Sequence, residues 1–535
     1  MTVDSRGWLN GDDSAAERQP ATFDELVRRA AADRPDDLAL IDAESRWTWS
    51  QLHQRTGDLA AGLVGAGLEP GDRLAIQAPT TVEFVAVYLA ALRAGLVVVP
   101  VNPGYTLPEL GHILADSGAR MLVTSSVAAV GAAGQLYQDH PRLSQIVIAA
   151  RSGADGLPTV AELSATGRAA PNGPPQGLDR TGEQLAVLLY TSGTSGRPKG
   201  AMLPVRALLA NLAQVGDLRP APVGARDRVY LPLPLFHVFG LNAGLGLALY
   251  FGAAVVLASK FDAEASLRQL RDEQVTVVVG APLEFAMWAG QPGFADGFSG
   301  VRFALSGSAP LSAELVSRYA GIGVPLFEGY GLTEAAPVIS LNLIPDGTAT
   351  GWAEPKPGSV GRPLPGVEVR LLDADDEVVE AGDLGLLEVR GPNLFLGYWP
   401  DAADGPDADG WFSTGDLAVA DDDGDYYLVG RRSDLVLVNG FNVYPAEVEA
   451  VFARLPGVAE VAVLGVSDTE TSDSILAYVV AEPGTVLDPD ELLEQAGRSL
   501  ARFKLPKQIL EVSELPHTST GKVMKWRLRA AAGQD

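Results

Sequence analysis

The chain has 535 residues, 47% of them apolar, and carries 40 Lys+Arg against 67 Asp+Glu for a net charge of −27. That length exceeds what one hydrophobic core serves, so at least two domains are expected, and the acidic excess argues against a broad surface for nucleic acid or anionic lipid. The lack of cysteine excludes disulfides, thiolate nucleophiles and cysteine zinc sites, and the five histidines show no H-E-x-x-H spacing, which makes a zinc hydrolase a poor fit.

The first residues, MTVDSRGWLNGDDSAAERQ, are polar and acidic where a secretory signal has a basic start and an apolar centre. Cytoplasmic residence is therefore expected, with peripheral membrane association left open. Helical and strand patterns then alternate. Leu52, Leu59 and Leu63 share one face of a helix over 50–66, closed by 67-GLEPG-71. A strand at 73–78, a helix at 81–94, a strand at 96–101, a helix opened by the capping box Thr106 to Glu109, and a strand at 120–124 follow. This alternation predicts α/β layers with largely parallel sheets. The Gly-, Pro- and Ala-rich stretch 151–182 reads as a surface connection, and a second α/β series runs through 227–258, 275–281 and 301–306.

Residues 238-VFGLNAGLGLALYFGAAVVLAS-259 are uncharged over a membrane-spanning length. Asn242 and the glycines at 240, 244, 246 and 252 break the run, so a buried helix, a turn and a buried strand are expected, and no integral membrane segment. After about residue 355 the pattern is β-rich. The stretch 421-DDDGD-425 resembles a calcium loop, but Tyr426 stands where that loop requires glycine, so a hairpin tip is expected. The last hundred residues read as a compact α+β unit with a helix from Pro445, ended by Gly457, and a basic tail 515-LPHTSTGKVMKWRLR-529.

The stretch 190-YTSGTSGRPKG-200 follows the apolar run 185-LAVLL-189 and reads as a phosphate-binding loop leaving a buried strand. It is not a Walker loop. Counted from Gly193, Pro198 occupies the second glycine position and Gly200 the Ser/Thr position, and Pro198 prevents a direct run into a helix.

Five further stretches line up behind it: 232-PLPLFHVFGL-241, 304-ALSGSAPLS-312, 327-FEGYGLTEAAP-337, 410-GWFSTGDLA-418 with 430-GRRSDLVLVNGFNVYPAEVE-449, and 518-TSTGKVMKWRLR-529. In this order, over nearly the whole chain, they resemble the adenylate-forming superfamily of acyl-CoA synthetases, luciferases and peptide-synthetase adenylation domains. The segments GYGLTEAAPVISLN and VNGFNVYPAEVE are most similar to bacterial medium- and long-chain fatty acid–CoA ligases.

The resemblance implies a large N-terminal domain, residues 1–432, of two α/β subdomains and a distorted β-barrel, and a small mobile α+β domain, residues 433–535. It implies ATP, Mg2+ and coenzyme A as cofactors and a small carboxylic acid as substrate, with no nucleic-acid partner, and it leaves a homodimer open. Carried over by position, it implies that Thr191, Ser192, Gly193, Thr194 and Ser195 hold the outer phosphates with Lys199 nearby. Tyr330 would stack on adenine beside Gly307, Ser308 and Ala309, with Glu328, Gly329 and Gly331 in the same ATP-binding strand and turn. Thr333 would touch the α-phosphate, Glu334 would hold magnesium, Asp416 and Arg431 would bind the ribose hydroxyls, and Lys522 would bridge acid and α-phosphate. His237, Val238, Gly240 and Ala335 would line the acyl pocket, Gly440, Phe441 and Asn442 the coenzyme A channel. Ser433 would be the hinge, a position where the family usually has Asp or Lys.

The chemistry needs such a set. A carboxylate is a poor electrophile, and two anions must meet in an acidic protein before it becomes an adenylate with AMP as leaving group, so cations and N–H donors must be aimed at the transferred group. With no thiol in the chain, the sulfur of a thioester must arrive on coenzyme A or a carrier protein. The expected function is an ATP-dependent fatty acid–CoA ligase. The alternatives are an aryl or short-chain acid–CoA ligase and a fatty acyl-AMP ligase that loads a carrier.

Overall fold

The computed structural model describes residues 22–149, 156–170, 175, 182–191, 198–345, 351–438, 441–469, 472–518 and 521–531. Its body is built on two sheets. A six-stranded sheet has the order Gln145–Ile148, Met121–Thr124, Arg73–Gln77, Val97–Pro100, Leu185–Thr191, Lys199–Pro204. Its first five strands are parallel and the last turns back antiparallel, with Thr191 opposite Lys199. The two strands that flank residues 192–197 therefore pair as a hairpin, in keeping with a proline at 198 that blocks direct entry into a helix.

A nine-stranded sheet has the order Arg362–Pro363, Val338–Leu341, Leu326–Gly331, Phe303–Ser306, Val277–Gly280, Arg228–Leu231, Ala254–Leu257, Leu38–Ile41, Arg46–Thr48. Its six inner strands from Leu326–Gly331 to Leu38–Ile41 are parallel, and antiparallel strands finish both edges. Apolar runs such as 277-VVVG-280 and 254-AVVL-257 are buried along their whole length, because helices cover the parallel strands on both faces. One continuous core spans both sheets, and a second, rich in edge-to-face aromatics around Phe285, Trp288, Phe298 and Tyr319, fills the outer face of the nine-stranded sheet.

The helix expected over 50–66 spans Trp49–Gly65 with a Thr48/Gln51 capping box, and the expected Thr106/Glu109 box opens Leu107–Ser117. One expectation is corrected. The stretch 151–182 holds a helix, Val160–Arg168, capped by Thr159 and Glu162. It packs backbone to backbone on Trp49–Gly65, so close that a Cβ at Gly167 would lie 1.9 Å from the Asp58 carbonyl and one at Gly62 2.2 Å from that of Leu163. The uncharged segment near 240 forms a π-helix Phe239–Gly246, a helix Leu247–Phe251, a left-handed Gly252 and the strand Ala254–Leu257. Among the described residues no helix is long and apolar enough to cross a membrane.

The β-rich part is an antiparallel sheet in the order Glu368–Leu372, Leu384–Arg390, Phe412–Ala420, Tyr426–Arg431, without a closed ring of strands among the described residues. Residues 421–425 are the hairpin tip between its last two strands. The Lys356 ammonium fills the tip, 2.8 Å from Asp421, 2.8 Å from Asp423 and 2.9 Å from Asp425. The C-terminal part has cores of its own around Val443, Phe452, Val463 and Ile475, and around Leu464, Tyr478 and Leu528. It consists of a two-stranded ladder, Val436–Val438 with Phe441–Val443, and a three-stranded sheet, Val458–Thr469, Ser472–Ala481, Gln508–Glu511, with helices Pro445–Phe452, Pro489–Ala496 and Lys525–Ala531.

Candidate functional site

The carboxyl ends of the strands Phe303–Ser306, Leu326–Gly331 and Leu185–Thr191 open on one cavity of about 380 Å³. Parallel sheets place ligand sites at that end, where the loops diverge. The turn leaving Phe303–Ser306 contributes Ser306, Gly307 and Ser308 to its wall. Ser308 has φ +76°, a left-handed backbone for a residue with a Cβ, and such strain is concentrated at functional sites. The Ser306 Oγ is buried with no partner among the described residues, an unsatisfied polar group on the cavity wall.

Gly331 ends the next strand because its backbone lies against the chain returning from the turn: a Cβ there would lie 1.9 Å from the Pro337 carbonyl. The Leu332 N–H donates to that carbonyl over 3.0 Å, and a 3₁₀ turn Thr333–Ala335 sets Thr333 and Glu334 on the cavity wall. Tyr398 donates its hydroxyl to Glu334 Oε1. Tyr398 belongs to a segment that hydrogen-bonds to the strand Lys199–Pro204, so this contact ties the turn between two strands of the nine-stranded sheet to the edge strand of the other. Burial and the neighbouring Glu334 carboxylate push the Tyr398 phenol well above its usual range, so it stays a donor. Lys199 stands over the Tyr398 ring, 5.2 Å from its centroid, and pairs with exposed Asp404 at 3.0 Å.

Tyr330 is buried along the cavity and donates its hydroxyl over 2.5 Å to Asp416 Oδ2. Asp416 and Arg431 are cross-strand partners, with Arg431 Nε 3.1 Å from Asp416 Oδ1. Lys522 reaches the same cavity from the C-terminal part; the Thr518 N–H donates over 2.8 Å to its carbonyl, and Gly521 before it takes φ +80°. Burial, and then the neighbouring Arg431, lower the pKa of the Lys522 ammonium, against the pull of Asp416 and Asp434. His237 is on the wall in front of the π-helix, and burial pushes its pKa down to about 4, so the imidazole is neutral at pH 7.

Of the residues singled out from sequence, Thr191, Lys199, His237, Val238, Gly307, Ser308, Gly329, Tyr330, Gly331, Thr333, Glu334, Arg431 and Lys522 line this one cavity. Asp416 stands behind it, on Tyr330 and Arg431. Glu328 lies beneath the 308–311 loop, where its Oε1 accepts the Leu311 N–H over 3.2 Å and burial pushes its pKa up to about 7. Ala309 is in that loop but not on the wall. Gly240 and Ala335 do not line this cavity. A Cβ at Gly240 would meet the Pro234 carbonyl at 2.5 Å, and Ala335 is fully buried with its carbonyl taken by Asn393. Phe441 and Asn442 lie on the strand paired with Val438 and Leu437, and Ser433 in the 3₁₀ turn Arg432–Asp434. Ser192, Gly193, Thr194, Ser195 and Gly440 lie outside the described residues. The sequence did not point to Leu305, Ser306, Leu341 or Tyr398, all of which line the cavity. The first three lie inside the quoted motifs 304-ALSGSAPLS-312 and GYGLTEAAPVISLN without having been singled out, and nothing around Tyr398 suggested a contact with Glu334.

The residues present fit a magnesium-bound nucleotide and an acid, with a carboxylate and three cations facing one cavity that also has an apolar wall. Comparison with known proteins agrees. Residues 27–399 match the model of the AMP-binding enzyme family, and residues 447–522 that of the AMP-binding enzyme C-terminal domain. A feruloyl-CoA synthase from Amycolatopsis sp is 36% identical over 510 residues, covering 95% of this chain and 98% of that protein. A long-chain-fatty-acid–CoA ligase from Salmonella typhimurium is 34% identical over 561 residues, covering 98% of each. The crystal structure of ATP-bound MatB from Rhodopseudomonas palustris superposes with a TM-score of 0.84 at 32% identity, over 95% of this chain and 99% of that one. The chain belongs to the AMP-binding enzyme family, as an adenylate-forming acid–CoA ligase whose cofactors are ATP, Mg2+ and coenzyme A.

Proposed function

We propose that the protein joins an apolar monocarboxylic acid, in first place a medium- or long-chain fatty acid, to coenzyme A by way of its adenylate, releasing AMP and pyrophosphate. The observation that carries this reading is the make-up of the cavity wall. Its cations Lys199, Arg431 and Lys522 gather with Glu334, whereas the part formed by His237, Val238, Phe239, Leu305, Pro337, Val338 and Leu341 carries no formal charge at pH 7. A second carboxylate on the substrate would have no counter-charge there. Each methylene buried in such a wall contributes about 0.8 kcal/mol.

Lys522 holds its positive charge between the acid carboxylate and the α-phosphorus as the carboxylate oxygen attacks and pyrophosphate departs. Preorganised charge of this kind contributes most in a site that excludes water. Thr333 donates to the α-phosphate. Glu334 would hold magnesium, which neutralises phosphate charge when bound, and the Tyr398 hydroxyl keeps that carboxylate oriented. Arg431 and Asp416 take the ribose hydroxyls, with Asp416 in turn fixing the Tyr330 ring against adenine. Neutral His237 keeps the acid end of the cavity free of a competing charge. The separate cores of the C-terminal part support a second step, on a division into residues 1–432 and 433–535: rotation at Ser433 withdraws Lys522 and brings the Phe441–Val443 ladder to the adenylate, where the coenzyme A sulfur attacks the acyl carbon and AMP leaves.

An aryl acid is the second reading. The feruloyl-CoA synthase relative and the flat Phe239 ring on the pocket wall favour it. Acid-dependent ATP–pyrophosphate exchange over aliphatic and aryl acids, followed by thioester detection with coenzyme A, decides between them. Exchange that rises with aliphatic chain length supports the first reading, and a preference for aryl acids replaces it with the second.

A further inference from the structure

Behind the acid wall lies a feature that the reaction as described does not use. Asn211, Gln214, Asn242 and Asn393 are between 0% and 5% exposed and do not line the cavity. Asn211, Asn242 and Asn393 converge on the backbone of residues 335–338, and Gln214 links two of them. Asn393 Nδ2 donates to the Ala335 carbonyl over 2.8 Å, Asn242 Nδ2 to that of Ala336 over 2.7 Å, and Asn211 Nδ2 to that of Val338 over 2.7 Å. Asn211 Oδ1 also accepts the Val338 N–H over 3.1 Å, so this one amide grips both backbone groups of Val338. Three of the amides are also joined to one another. Asn211 Nδ2 donates to Gln214 Oε1 over 3.2 Å, and Gln214 Nε2 to Asn393 Oδ1 over 3.3 Å.

The gripped segment follows Thr333 and Glu334 directly, and its Pro337 and Val338 line the cavity. Asn242 belongs to the π-helix Phe239–Gly246, whose entry His237–Val238–Phe239 forms another part of the same wall. Its amide also donates to the Leu208 carbonyl over 3.1 Å, on the helix Val205–Gly216 that carries Asn211 and Gln214. One side chain thus spans two portions of the acid wall and anchors both to a helix behind them. Apolar residues of similar size would fill the space. Hydrogen-bonded amides in a core have directional partners and hold a backbone in one place, which packing alone does less strictly.

We propose that Asn211, Gln214, Asn242 and Asn393 form a positioning cluster that sets the shape of the acid pocket, and so the choice of acid, without touching the acid. The inference rests on the ligase reading above. Asn242 is the residue through which the two portions of wall are kept in register.

The test is Asn242→Leu, which keeps the side-chain size and removes both donated bonds. Acid-dependent pyrophosphate exchange is measured on the full-length protein with a homologous series of straight-chain acids and a set of aryl acids. In the unsubstituted protein neighbouring acids are expected to differ by roughly tenfold in kcat/KM, the discrimination one methylene commonly supplies. In Asn242→Leu this ratio falls to about twofold through the KM of the acid, while the KM of ATP changes by less than about twofold. Phe298→Leu, in the aromatic core of the outer face, serves as a destabilised control that keeps the acid ratios. If Asn242→Leu does not fold, Asn393→Ala, which removes a donor at the edge of the cluster, takes its place with the same expectation. Variants that lower the rate with all acids by one common factor, as the control does, or that leave the ratios unchanged, overturn the inference and leave the ligase reading standing. Absence of acid-dependent exchange in the unsubstituted protein overturns both.

Discussion

Lys522 and Arg431 bring two positive charges to one cavity wall, and burial together with Arg431 lowers the pKa of the lysine. Such an arrangement is unfavourable without an anion between the two groups and favourable with one. On the proposed mechanism, Lys522→Ala lowers acid-dependent pyrophosphate exchange by on the order of 10²–10³ or more. Thioester formation from preformed acyl-adenylate largely survives, because that step uses the other face of the small domain. Equal loss of both half-reactions contradicts the assigned role. Glu328 gives a pH prediction of the opposite kind, in stability. Burial raises its pKa from 4.5 to about 7 in the folded chain, so between those values the folded protein holds a proton that the unfolded chain has released. Its contribution is fully present below about pH 4.5 and is lost as pH rises through 7. Glu328→Gln keeps an acceptor for the Leu311 N–H and should flatten the fall of the denaturation midpoint between pH 5 and 7, by about 3 kcal/mol at most. An unchanged pH profile would mean that the carboxyl is ionised in the folded state.

At the scale of elements, the hairpin tip 421–425 shows how an acidic loop is satisfied from within. Asp425 is fully buried, and Lys356 and Arg362 both reach it, at 2.9 Å and 3.2 Å. Lys356→Met leaves three carboxylates to repel one another around one arginine, and a loss of about 2 kcal/mol is expected in chemical denaturation. A loss below about 0.5 kcal/mol would place the ammonium among ordinary surface pairs.

Elements of regular period were legible in the sequence, because a buried parallel strand or a capped amphipathic helix announces itself over a few residues. The helix Val160–Arg168 was hidden by the Gly-, Pro- and Ala-rich residues around it, although Thr159 and Glu162 already spelled its capping box. The motifs of the site were legible in their order. The register that sets Asp416 opposite Arg431, and the approach of Tyr398 to Glu334 across 64 positions, were not, since they follow from sheet pairing between distant segments. The amide cluster was equally hidden. Asn211, Asn242 and Asn393 stand in apolar stretches where each alone is an interruption, and only the fold brings them to one backbone segment.

Across the whole molecule, the reading requires two bodies that move. Lys522 reaches a cavity built by the nine- and six-stranded sheets, yet it is carried by a part with its own cores, joined through the turn Arg432–Asp434. On the way its neighbour Gly521 comes close to Leu283. A Cβ at Gly521 would lie 3.3 Å from Leu283, itself 44% exposed. Rotation at Ser433 needs only backbone freedom, so Ser433→Pro, which fixes φ, should retain pyrophosphate exchange and lose thioester formation by about tenfold or more. Retention of both half-reactions would place the pivot elsewhere.

The most direct measurement is product analysis of the purified protein incubated with ATP, Mg2+ and a panel of aliphatic and aryl acids, first without and then with coenzyme A. AMP and pyrophosphate formed in equal amounts, dependent on the acid, and a thioester formed only when coenzyme A is added, are the expected result. ADP and phosphate as products, or nucleotide turnover indifferent to every acid, would contradict the transfer of a carboxylate to the α-phosphorus on which the whole reading stands.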